Sequence, residues 1–279
     1  MDHPLFEIVT TTAGAISIRN KALNEIMHNP VGPWAEANAL YIDQSKLASR
    51  LSENSTEALV IFDVGLGAAA NALAALHCAT RLSDKARPLH MISFERDLEL
   101  LHYALKHAAK FPHFAGYEDA VSELLSRREW VSGKIRWELR EGNFHETLLT
   151  ERERPHLIFY DPYSSKVNRE MWSAECFRNL RAKCREEIDG GTVLFTYSQA
   201  TPIRVALLDG GFFVGCGLSS GPKEETTQAA TCLTDLEFPL GQKWFERWSR
   251  SRAQVPFECA PSDEERVRTM VRKHPQFAG

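Results

Sequence analysis

The chain has 279 residues, 43% of them apolar and 25% charged, the balance of a globular protein long enough for one large α/β domain or one domain with additions. A net charge of −4 gives no overall attraction to nucleic acid, so an RNA partner has to be held by a local patch. The six cysteines are scattered, no His/Cys cluster has metal-ligand spacing, and there is neither a basic-then-apolar leader nor a long apolar run. A cytoplasmic chain with reduced thiols, no metal and no membrane contact is therefore expected.

In chain order, Phe6-Glu7-Ile8-Val9 and Ala15-Ile16-Ser17-Ile18 read as a β-hairpin within an amino-terminal cover over residues 1–50. Pro30, Gly32 and Pro33 then break the chain before a helix start that carries Glu36. Such a cover either closes over a ligand or shields a sheet edge. Leu59-Val60-Ile61-Phe62-Asp63-Val64 reads as a buried parallel strand, ended by Gly65-Leu66-Gly67 and followed by an alanine-rich helix to about Ala79. A strand that stops at Gly-x-Gly and becomes a helix brings bare backbone close to a ligand.

Asp63 decides what kind of ligand. A carboxylate two residues before the first glycine would repel a pyrophosphate, whereas S-adenosylmethionine carries an amino group, a sulfonium and no phosphate. A methyl-donor site is the expected reading, with a dinucleotide site or a plain tight turn as alternatives.

Leu89 to Glu95 is a second apolar strand ending in an acid, placed to accept the two hydroxyls of a ribose or to stand as a surface acid. An amphipathic helix from Asp97 to about Lys110 and a mostly helical insertion over 112–134 follow. The strand Ile135–Leu139 leads to Asn143, which either meets an adenine edge or is a turn residue.

The chemistry is expected where the fourth strand, Leu157–Tyr160, delivers Asp161-Pro162-Tyr163 beside the glycine loop. An amine that attacks a sulfonium methyl must be neutral, and removing a proton from an alkylamine of pKa about 10.4 costs roughly 4 to 5 kcal/mol at neutral pH. A carboxylate orients the lone pair, takes up the proton and stabilises the charge growing on nitrogen. Asp161 is the candidate for that task, with Pro162 stiffening the turn and Tyr163 packing against the substrate.

A long helix over Asn168–Ile188, a fifth strand over Thr192–Tyr197, a helix from Thr201, a strand over Phe212–Cys216 and a closing strand over Ala229–Leu233 complete a mostly parallel sheet whose last strand is antiparallel. This α/β domain spans 51–234. A helical extension over 235–279 interleaves Trp244, Phe245 and Trp248 with arginines, which reads as a packed helix with a solvated face or as an RNA-stacking surface.

Taken together these segments resemble the MnmC-type methyltransferase family over roughly residues 5–233. The resemblance rests on Met27-His28 through the Glu36 segment, Asp63-Val64-Gly65-Leu66-Gly67 with Asn71, and Ile92-Ser93-Phe94-Glu95. It continues through Asp161-Pro162-Tyr163-Ser164-Ser165-Lys166 with Met171-Trp172, Gly190-Gly191-Thr192 to Ser198, and Gly221-Pro222-Lys223-Glu224. It implies a Rossmann-like fold, S-adenosyl-L-methionine as cofactor, and the aminomethyl group of 5-aminomethyl-2-thiouridine at the tRNA wobble position as acceptor.

Carried onto this chain, the cofactor is met by Glu36, Asp63, Gly65, Gly67, Asn71, Glu95, Asn143 and Asp161. The acceptor is met by Pro162, Tyr163 and Lys223. Where many members have an Asp, this chain has Asn143, and it has Pro162-Tyr163 where they have Gly-Phe or Pro-Phe. The flavin oxidase module of bifunctional members is not expected here, so the predicted activity is methyl transfer alone. A methyltransferase for a small-molecule or protein amine is the alternative.

Overall fold

The computed structural model describes residues 3–27, 30–83, 85–219 and 225–277. The expected hairpin is formed by Phe6–Thr10 (β1) and Ile16–Asn20 (β2), antiparallel with Ile8 opposite Ile18. A third short strand, Glu25–Ile26 (β3), extends it into a separate small sheet. Helix Pro33–Ala37 (α1) starts at the proline break, where the missing N–H costs no hydrogen bond. It continues as a π-helical segment, Asn38–Asp43, and then as Leu47–Leu51 (α2).

The main sheet contains Leu59–Val64 (β4), Leu89–Glu95 (β5), Glu129–Ser132 (β6), Ile135–Glu141 (β7), Leu157–Tyr160 (β8), Val193–Thr196 (β9), Phe213–Gly217 (β10) and Thr226–Ala230 (β11). Their order is β10-β11-β9-β8-β4-β5-β7-β6. β4 is parallel to both β5 and β8, so the chain winds outward from it in both directions. Such a reversal opens a crevice at the carboxyl ends of the central strands. Val64 lies level with Tyr160, so the chain leaves β4 and β8 side by side.

Alternation along β4 feeds two cores. Leu59 and Ile61 join the layer containing helix Ala70–Thr80 (α3) and helix Glu118–Arg127 (α5). Val60, Phe62 and Val64 join the layer containing helices Ala174–Lys183 (α7) and Thr201–Asp209 (α8). Burial on both faces is what a central parallel strand requires. Glu99–Lys106 (α4) and Phe144–Thr150 (α6) follow β5 and β7.

Three expectations are corrected. The insertion over 112–134 holds α5 but ends in β6, an edge strand antiparallel to β7. The helix expected over 168–188 is confined to α7, because Ser173 Oγ caps its start by accepting from Cys176 N at 3.1 Å. The last strand is antiparallel as expected, but it spans Thr226–Ala230 and is inserted between β9 and β10.

The carboxyl-terminal segment forms Gln242–Ser249 (α9) and Glu264–Arg272 (α10). Trp244, Trp248, Val267 and Val271 are buried in the same core as α7 and α8. No helix among the described residues is long and apolar enough to cross a membrane.

Candidate active site

The glycine loop can only be built from glycine at its first turn. Gly65 has φ +91°, and a Cβ there would lie 2.7 Å from the Asp161 carbonyl oxygen and 2.9 Å from Pro162 N. The end of β4 is thus pressed against the turn that leaves β8. The N–H groups of Gly65 and Leu66 both donate to Phe94 O, at 3.0 and 3.3 Å. Gly67, at φ +53°, donates its N–H to Glu95 Oε2 at 2.9 Å.

Glu95 Oε1 accepts from the backbone N–H groups of Arg96 and Asp97. Burial pushes this carboxyl up while the three backbone donors hold it down, and burial prevails. His113, wholly buried, donates Nε2–H to Ala68 O at 3.1 Å and pins the far side of the loop. The loop is clamped from three directions.

These elements frame a cavity of about 1120 Å³. Of the residues expected from sequence, Glu36, Gly65, Gly67 and Glu95 line it, as do Asn143, Asp161, Pro162 and Tyr163. Glu36 reaches it from the first turn of α1. Asn143 caps α6, its Oδ1 accepting from His145 N at 2.9 Å, which leaves its Nδ2 hydrogens as the polar group for a ligand. Lys223 and the Gly-Pro-Lys-Glu segment lie outside the described residues.

Two residues expected to meet the cofactor do not line the cavity. Asp63 does not line the cavity, because strand alternation turns it toward the face of Ile61. There it accepts from Ser93 Oγ at 2.7 Å, while Ser93 accepts from Trp137 Nε1 at 2.9 Å. Burial first, aided by the charges of Asp161 and Glu95, raises its pKa to about 7. Asn71 is also behind the wall. Its Nδ2 donates to Asp161 Oδ2 at 2.7 Å, so it touches the carboxylate that faces the cavity rather than the cavity itself.

Sequence reasoning did not single out Tyr197, Tyr41 or His113. Tyr197 follows β9 as Asp161 follows β8. It lines the cavity, and its hydroxyl donates to Pro162 O at 3.1 Å, fixing the turn that carries Asp161. Its position one strand over from Asp161 was the available signal. Tyr41 sits on the π-helical segment, fully buried, with its pKa driven up by burial and then by the charges of Asp161 and Glu36. No sequence pattern marks it.

The lining carries the carboxylates of Glu25, Glu36, Glu95, Asp97, Asp161, Glu170 and Glu258, against the cations Arg96, Lys166 and Arg169. No group of residues suited to hold a metal ion occurs among the described residues.

Residues 118–232 match a family model described as S-adenosyl-L-methionine-dependent methyltransferase. The tRNA 5-methylaminomethyl-2-thiouridine biosynthesis bifunctional protein MnmC of Burkholderia vietnamiensis is 28% identical over 200 residues, covering 67% of this chain and 29% of that protein. The protein of the same name from a Marinomonas species is 26% identical over 221 residues, covering 75% of this chain and 32% of that one. The chain thus spans about a third of the length of these relatives. Among solved structures, MnmC2 from Aquifex aeolicus superposes with a TM-score of 0.73 at 21% identity, covering 97% of this chain and 84% of that one.

The residues present fit that cofactor. No Lys or Arg stands in the loop from Val64 to Asn71 to receive a phosphate, and the acid-rich lining suits a ligand that carries an ammonium and a sulfonium. The matched segment, the crevice between β4 and β8 and this charge pattern agree with one another: the chain has a Rossmann-like methyltransferase fold, is similar to the methyltransferase part of MnmC proteins, and over residues 118–232 matches the S-adenosyl-L-methionine-dependent methyltransferase family.

Proposed function

We propose that this enzyme methylates a primary aliphatic amine held against Asp161, and that the amine is the aminomethyl group of 5-aminomethyl-2-thiouridine at the tRNA wobble position. The observation that carries the reading is the placement of Asp161. It faces the cavity beside the glycine loop at the switch point, with its carboxylate gripped from behind by Asn71. The MnmC relatives, whose names place them in biosynthesis of tRNA 5-methylaminomethyl-2-thiouridine, the product that methylation of this acceptor would give, support the choice of acceptor. A tRNA substrate would place the enzyme in the cytoplasm.

In this reading Glu36, Gly65, Gly67, Glu95 and Asn143 hold the cofactor, which when bound supplies an electrophilic methyl group on a sulfonium. Glu95 takes the ribose hydroxyls, and Asn143 offers its amide hydrogens to a ring nitrogen of adenine. Pro162 and Tyr163 shape the acceptor pocket, together with Lys223. Asp161 would accept a hydrogen bond from the acceptor nitrogen, keep its lone pair pointed at the methyl group, and receive the proton released as the C–N bond forms and the methyl–sulfur bond breaks, a neutral thioether being the leaving group. Asn71 can only donate through Nδ2, so it fixes the rotation of that carboxylate without competing for the proton.

With tRNA carrying 5-aminomethyl-2-thiouridine, the purified enzyme is expected to yield the methylaminomethyl nucleoside, read by nucleoside mass spectrometry. Asp161→Asn is expected to lower kcat by about 10²- to 10⁴-fold, the usual scale of general acid–base assistance, with cofactor affinity nearly unchanged. Full turnover by that variant would remove Asp161 from the mechanism. The acidic lining also favours a free small-molecule amine as acceptor, and methylation of such amines with none of tRNA would establish that second reading.

A further inference from the structure

The charges around the cavity are sorted by depth. Glu36, Glu95 and Asp161 belong to the cofactor and acceptor region. The three cations all stand on exposed positions at the rim. Lys166 and Arg169 form no ion pair among the described residues, while Arg96 is 3.9 Å from Glu170. Three of the four rim carboxylates are held in place by hydrogen bonds or an ion pair, although only Glu170 faces a cation. Glu25 accepts from Ser164 Oγ, Asp97 caps Glu99 N at 2.7 Å, and Glu170 faces Arg96. Glu258 is the exception.

Interleaved with these cations is an apolar strip. Leu23 in the β2–β3 turn, Ile26 on β3 and Val167 are large apolar residues with 39%, 41% and 40% exposure, and all three line the cavity mouth. The hairpin and the 163–169 segment are joined across the mouth by the Ser164–Glu25 bond and by Asn20 Nδ2 donating to Tyr163 Oη at 3.4 Å. The strip is therefore one continuous surface around the opening.

A free cationic amine is drawn by the acidic interior and makes no use of Lys166 and Arg169 at the mouth. A polyanion that carries an amine on one base sets that amine in the interior and its phosphates on these two cations. We propose that the rim made by Leu23, Ile26, Val167, Lys166 and Arg169 docks an RNA loop, its phosphates on the two cations and the bases flanking the acceptor on the apolar strip. This rests on the proposed function and assigns the surface that presents the acceptor. Apolar and cationic groups in alternation are what single-stranded RNA requires: faces for bases to cover and charges for phosphates.

The test is tRNA binding by the full-length enzyme as a function of salt. Lys166→Gln/Arg169→Gln is expected to weaken binding and to reduce the slope of log Kd against log salt by about 1.4, from two phosphate contacts at roughly 0.7 each. Lys166→Arg/Arg169→Lys is expected to keep the wild-type slope. Leu23→Ser/Ile26→Ser is expected to weaken binding about fivefold or more with the slope unchanged. Glu258→Gln is expected to tighten it. Wild-type affinity and slope in the Lys166/Arg169 double variant, with tRNA still methylated, would overturn the docking surface while leaving the function intact. A wild-type enzyme that methylates free amines but neither binds nor methylates tRNA would overturn both.

Discussion

At Gly65 and Gly67 a single hydrogen atom separates two very different costs. Both adopt positive φ, which charges an L-residue roughly 1–2 kcal/mol. At Gly67 the nearest atom to an added Cβ would be the tip of Met27, at 3.4 Å, and that flexible side chain can withdraw, while Leu100 and Gly65 O stand at ordinary contact distance. At Gly65 the neighbour is the backbone of Asp161 and Pro162 at 2.7–2.9 Å, so β4 and β8 would have to part. Gly65→Ala is therefore expected to lose about 3 kcal/mol or more of unfolding free energy and to abolish cofactor binding. Gly67→Ala is expected to lose about 1–2 kcal/mol. Urea titration with calorimetric cofactor binding distinguishes them, and equal losses would refute the close approach. The glycines were legible in the sequence because their signal is local. The side toward which Asp63 points was also legible, from its parity with Ile61, but the ligand argument took precedence over strand alternation. Asn71 was harder: its partner Asp161 is 90 residues away, a distance only the tertiary fold closes.

At the scale of elements, α9 and α10 answer the question that the aromatic and basic residues of the extension left open. Trp244 and Trp248 stack on each other inside the core rather than outside it. The arginines of α10 are tied to carboxylates: Arg266 makes two bonds to Asp209 at 2.8 and 3.0 Å, and Arg268 pairs with Glu264. Asp209 is 4% exposed in its side chain, and without Arg266 it would keep only Arg178 at 3.6 Å. Arg266→Ala is expected to cost about 1–3 kcal/mol by stranding that carboxylate, with tRNA affinity unchanged. A change in affinity without a change in stability would place the RNA surface on α10 instead of the rim. Strand order escaped the sequence for a related reason. Thr226–Ala230 and Glu129–Ser132 are short, and what makes them strands is the ladder offered by β9, β10 and β7 rather than their own pattern.

For the molecule as a whole, two titratable groups, one buried and one half-buried, secure the central strand on its two sides. Asp63 ties β4 to β5 through Ser93, and His156 ties β4 to the start of β8 by accepting from Val60 N at its Nδ1, 3.0 Å away. Their protonation preferences oppose each other. Burial, reinforced by Arg185 and Arg87, lowers the His156 pKa from 6.5 to about 4. A proton on Nδ1 would also destroy the bond to Val60. The unfolded chain takes up that proton first, so the stability from neutral His156 is complete above pH 6.5 and declines as pH falls toward about 4. For Asp63 the folded pKa is the higher one, so its contribution is complete below pH 3.8 and declines as pH rises toward about 7. Between pH 4 and 6.5 the two slopes, each at most about 1.4 kcal/mol per pH unit, largely offset each other. His156→Asn retains an acceptor for Val60 but no longer titrates. Its stability relative to wild type is expected to improve steadily as the pH is lowered from 6.5 to 4.5, and to stay constant between 7 and 8. Urea midpoints across that range measure the difference, and one that does not vary with pH would show that His156 is not held neutral between the two strands.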